Sequence, residues 1–136
     1  MHRPVEVIHL AVGAGKVEAT VERLLAPFEG REWDWWTIGG RWNGYPTGLD
    51  LHPNKCWPVG HDERTVGNTV PVAGWPDNEI PINEIVTPDG VWHKLSGQPT
   101  WQTKWTPAMV ETARRDRAII HAAWPGCQAT VVDLHD

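Results

Sequence analysis

The groups in this chain that could do chemistry are few. They are the run EWDWWTIGGRW at 32–42, the pair Trp92 and His93, and the ionisable residues His9, Asp133 and His135. His93, Asp133 and His135 are the candidates for acid–base catalysis: imidazole is the side-chain type that ordinarily titrates near neutrality, and a carboxylate can orient it. Arg41 brings a planar fork of donors suited to a carboxylate or phosphate, and Gly39 and Gly40 let the backbone approach a ligand closely. Trp35, Trp36, Trp42 and Trp92 offer flat faces on which a ring can stack at about 1–3 kcal/mol each. With His9 these residues form the expected ligand-binding set. The competing expectation is structural: the glycine pair makes a bulge or turn, and Arg41 pairs with Asp34 or Asp133 over packed indoles.

Other chemistries fit less well. His9, Asp133 and His135 could ligate a divalent metal, but no HExxH, HxH or paired-cysteine spacing supports this, so no metal and no cofactor is expected. AVGAGKV resembles a phosphate-binding loop, yet it has Leu10 where the loop needs glycine and Val17 where it needs a hydroxyl residue. No serine or cysteine stands in a nucleophile-elbow context. RRDR at 114–117 reads as a solvated basic face, with Arg117 snorkelling beside the apolar sector of its helix.

These groups sit in a chain of 136 residues, enough for one domain with its own core, spanning 1–136. Ten tryptophans against one phenylalanine and one tyrosine place unusual weight on indole. The formal charge of −5 counts against non-specific attraction to a phosphate backbone, and so against nucleic acid as a partner. Cys56 and Cys127 are too few for a disulfide framework and suit a reducing compartment, so the expected location is the bacterial cytoplasm. No apolar run reaches the roughly 20 residues that span a bilayer, and no membrane association is expected.

The elements that must position the candidates follow from periodicity. VEVIHLAV (5–12) is a near-continuous apolar run and predicts a central strand. Val17, Val21, Leu24, Leu25 and Phe28 recur at helical spacing, and that helix ends near Pro27. EWDWWTIGG predicts a strand with Trp33, Trp35 and Thr37 on one face and Trp36 and Ile38 on the other. An irregular excursion, with short strands at most, is expected over about 43–82. EIVTPDGVWHKL predicts a hairpin turning at PDG. Thr106 and Pro107 open a helix running to WPG at 124–126, with Met109, Val110, Ala113, Ile120 and Trp124 buried, and QATVVDLHD closes the chain as a strand.

This order predicts an α+β, ferredoxin-like βαββαβ sandwich, an antiparallel sheet with two helices on one face. If Ile8, Leu10, Val12, Val132 and Leu134 face the helices, alternation gathers His9, Asp133 and His135 on the open face. An exposed last strand or indole patch would suit a homodimer.

The blocks WDWWTIGGRWNG, TPDGVWHK and TVVDLHD resemble an uncharacterised family of small actinobacterial and actinobacteriophage proteins. Its pattern is D-W-aromatic-x-I-G-G-R-W-x-G, then T-P-D-G-x-W-H, then a terminal V-V-D-C-H. The shared positions here are Asp34, Trp35, Gly39, Gly40, Arg41, Trp42, Gly44, Asp89, Gly90, Trp92, His93, Asp133 and His135, while Leu134 replaces the family's cysteine. The resemblance implies a phage or actinobacterial origin and a shared site, and no particular activity.

Three functions compete. The first is a phage-type accessory protein that binds a host protein or a small ligand through a Trp/Arg groove, without catalysis. The second is a small acid–base enzyme acting on a phosphate or carboxylate held by Arg41. The third is a nucleic-acid-binding ferredoxin-like module, against which the acidic balance and the missing aromatic spacing count.

Overall fold

The computed structural model describes residues 2–47, 61–76, 82, 84–95 and 106–136. Its elements are β1 (His2–His9), α1 (Ala14–Leu25), β2 (Trp35–Ile38), α2 (His61–Asn68), β3 (Thr69–Pro71), β4 (Glu84–Val86), β5 (Trp92–Lys94), α3 (Pro107–Ala123) and β6 (Gln128–His135). Six strands form one mixed sheet in the order β2-β6-β1-β4-β5, with β3 also paired to β6. β1 and β4 run parallel; the remaining pairs are antiparallel.

β1 sits at the centre: Val5 to His9 are all buried, with Val5 and Val7 packed on one face and Ile8 on the other. A strand buried on both faces needs cover on both. α1 supplies it on one side: Val17, Val21 and Leu25 pack with Val5, Val7, Ile38, Val86, Val132 and Leu134. α3 supplies it on the other, where Ala113, with Ile120 and Trp124 at its margin, meets Ile8, Ile85 and Ala129.

The α+β class is therefore observed, but the ferredoxin-like arrangement with both helices on one face is not. The order of elements does not say on which side each crossover passes. Alternation in β1 puts Val5 and Val7 on one face and Ile8 on the other, so both faces carry apolar side chains that need cover. β6 is likewise no edge strand, being paired to β1 on one side and to β3 and β2 on the other, so an exposed last strand is not available for dimerisation. Part of the excursion at 43–82 is regular, forming α2, β3 and a 3₁₀ turn at Val72–Gly74; residues 48–60, including Cys56, and 77–81 lie outside the described residues.

Local chemistry explains the other boundaries. Thr106 caps α3, its hydroxyl oxygen accepting the Met109 N–H at 3.2 Å, with Pro107 at the first helical position. The β4–β5 hairpin turns through Thr87–Val91, where the Gly90 N–H donates to the Thr87 carbonyl at 2.9 Å and Gly90 adopts φ +80°. No helix among the described residues is long and apolar enough to cross a membrane.

Candidate functional site

The register of β1 against β6 decides which polar groups meet. His2 pairs with His135, Pro4 with Asp133, and His9 with Gln128. Paired residues share a face, so His2, Asp133 and His135 lie together on the α3 side, while His9 points to the α1 side with Val132 and Leu134. The expected grouping of His9 with Asp133 and His135 is corrected. It assumed a register one residue out, and a one-residue slip moves every side chain to the opposite face. His9 is fully buried, with Nε2 2.8 Å from Thr130 Oγ1 and Nδ1 2.9 Å from the Leu10 carbonyl oxygen. Burial lowers its pKa from the ordinary 6.5, against the raising effect of the Leu10 contact. Leu10, assigned to the core, is 66% exposed because β1 ends at His9.

In place of His9 the sheet delivers His2. Its Nδ1 lies 2.9 Å from Asp133 Oδ1, and Asp133 is only 2% exposed. Beside it, His135 Nδ1 lies 2.8 Å from Asp34 Oδ1. The two imidazole rings meet edge to face with centroids 5.1 Å apart, and Trp35 stands edge-on to His2 at 6.1 Å. Two carboxylate–imidazole pairs and one indole thus converge where β2, β6 and β1 end. In each pair the carboxylate engages Nδ1, which fixes the ring and directs Nε2 away from it.

Gly39 and Gly40 lock this corner. Both have positive φ, and a Cβ on Gly40 would overlap the Asp133 side chain. The turn can therefore fold onto β6, and the Arg41 backbone N–H donates to Asp133 Oδ2 at 3.1 Å. Arg41 meets Asp133 through its main chain, and its guanidinium is on an exposed residue. The glycine pair makes a turn, and a backbone N–H rather than the expected Arg41 side chain over packed indoles reaches Asp133.

The single aromatic groove is not formed. Trp35 is 50% exposed on the α3 side, whereas Trp36 packs into the α1-side core. Trp33 joins that same core and donates its indole N–H to the Leu25 carbonyl at 2.9 Å, so it does not share a face with Trp35. Trp42 is half-buried in the glycine turn. Trp92 lies on β5, at the opposite edge of the sheet, against Phe28. His93 is also on β5; its Nε2 is 3.1 Å from Thr87 Oγ1, and three strand spacings, about 14 Å, separate it from β6. It belongs to the hairpin and not to the His2–His135 cluster. Among the described residues no group of three or more His, Cys, Asp or Glu side chains is placed to hold a metal ion.

Sequence reading missed His2, which sits in a stretch with no recognisable motif, and its role depends on a partner 133 positions away. It also passed over Glu6 and His121. Glu6 is fully buried on the α3 side of β1, and both its oxygens lie near His121 Nε2, at 2.6 and 2.8 Å. A charged residue inside the apolar run of β1 was the available signal, since a buried carboxylate requires a partner.

Comparison with models of known families, with curated proteins and with solved structures gives no match.

Proposed function

We propose that this protein works by binding, with the patch of Trp35, His2, Asp34 and His135 as its contact surface. The observation that carries this reading is Trp35 itself. Half of a large apolar side chain is left in water, although both cores of the molecule accept other indoles. An exposed indole rimmed by polar groups is the composition of an interaction hot spot. Asp133 and the Gly39–Arg41 turn hold the rim in place from beneath, so the surface is organised before a partner arrives. The sequence resemblance adds an accessory role in an actinobacterial or phage-infected cell, with a host protein or a small ligand in the bacterial cytoplasm as partner.

The acid–base reading keeps one specific support, the two carboxylate-held imidazoles 5.1 Å apart. In that reading His2 takes the place expected of His93. The nucleic-acid reading has less support, because α3 packs over part of the sheet face it requires.

The test compares the wild-type chain with Trp35→Ala. Each is immobilised for capture from an actinobacterial host extract and screened by thermal shift against a metabolite panel. The expected result is a saturable partner or ligand retained by wild type and lost in Trp35→Ala, with circular dichroism and melting temperature unchanged. Binding that survives the substitution, or none in either format, rejects the patch. Turnover of phosphate or carboxylate esters that His135→Ala abolishes would establish the acid–base reading instead.

A further inference from the structure

A second feature lies apart from the Trp35 patch, under α3. A cleft of about 540 Å³ opens between α3 and the segment Val72–Pro76. Its size falls within the usual range for small-molecule sites. Trp75 forms one wall and Ala118 and Ala122 contribute the other, so the lining is mainly apolar. His121 is also part of the lining, edge-on to Trp75 with ring centroids 5.9 Å apart, and behind it lies the buried Glu6 carboxylate. The Glu6–His121 pair is closed on itself, so the charges this cleft presents to a guest come from Arg114 and Arg117.

Arg117 is the informative one. Its Nη2 donates to the Ile82 carbonyl oxygen, which fixes the guanidinium, yet its Nε is buried and has no hydrogen-bond partner among the described residues. A buried N–H donor without an acceptor is costly, more so when the group is charged. That nitrogen is closed to a guest in the cleft, and a guest carboxylate would instead meet the positive charge that Arg117 carries on the cleft lining. Arg114 adds a second positive charge on the lining, although an exposed ion pair with Glu111 at 3.4 Å moderates it. In a chain of formal charge −5, this cationic, apolar-walled site is complementary to an anion with a flat hydrocarbon body.

We propose that the cleft between α3 and Val72–Pro76 binds a small aromatic monocarboxylate, its ring against Trp75 and its carboxylate on Arg117. The site is independent of the Trp35 patch.

The test uses 1-naphthoate and its neutral counterpart 1-naphthamide, titrated into the full chain and followed by amide and indole N–H shifts in two-dimensional NMR. The expected result is saturable binding of naphthoate at up to about 1 mM, with shifts centred on the Trp75 indole and residues 114–122. Naphthamide should bind about tenfold more weakly. Arg117→Gln should remove that preference, bringing naphthoate to within about twofold of naphthamide. Ala118→Trp fills the cleft from an exposed helical position and leaves Glu6 and His121 themselves unaltered, and should abolish binding with the melting temperature retained. Trp35→Ala should bind naphthoate as wild type does, which separates this site from the one proposed above. Absence of saturation, equal binding of acid and amide by wild type, or binding that persists in Ala118→Trp overturns the proposal.

Discussion

Gly40 shows how one residue type can be legible while its reason is not. A glycine pair before an arginine says that the backbone must do something a side chain would obstruct, and both the ligand and the turn explanations met that condition. What the glycine avoids is the Asp133 side chain, on a strand more than ninety positions later. Gly90 supplies the contrast: it has φ +80° in the hairpin turn, but open space where a Cβ would stand. Both glycine-to-alanine changes carry the left-handed backbone penalty of roughly 1–2 kcal/mol, and only Gly40→Ala adds steric displacement of a buried carboxylate. Gly40→Ala is therefore expected to lower stability by about 2 kcal/mol more than Gly90→Ala in urea denaturation, with loss of the His2–Asp133 contact. Equal losses would mean that the corner can open without cost.

The elements were readable where their signals are local. The helical recurrence of Val17, Val21 and Leu25, the Thr106–Pro107 cap and the PDG turn each depend on residues a few positions apart, and each is observed. Register is a property of two elements, and there the reading failed for His9. That residue now provides a test of its strand. Burial lowers its pKa, so below the ordinary 6.5 the unfolded chain takes up a proton that the folded chain resists. Its contribution to stability is complete above that value and is lost as pH falls through it. Wild-type stability from denaturant melts should decline from pH 7 to pH 5, and His9→Gln, which can still bond to Thr130, should flatten part of the decline. An unchanged slope in His9→Gln would show that the ring is not held neutral between β1 and α1.

At the scale of the molecule, the indoles are divided by the sheet. β2 sends Trp36 and Ile38 into the α1-side core and Trp35 to the opposite side, near His2. Two adjacent residues of the same type thus serve stability and surface separately. Trp36→Ala should cost about 2–4 kcal/mol through lost burial and the cavity left behind, whereas Trp35→Ala should change stability by no more than about 0.5 kcal/mol. Comparable losses in thermal melts would place Trp35 inside a core and undo the assignment of the patch as a contact surface.

The amino-acid order alone determined the local pieces: a central apolar strand, two amphipathic helices, a hairpin, a closing strand, and the residue types gathered near positions 34–42 and 133–135. These follow from spacing, capping and turn chemistry, which act within a few residues. Tertiary structure alone decided which side of the sheet each helix covers, that β6 lies inside the sheet, and that His2 rather than His9 or His93 joins Asp133 and His135. The physical reason is that a strand's side chains alternate with a period of two, so their company depends on pairing with segments distant in sequence, and a shift of one residue reverses every assignment.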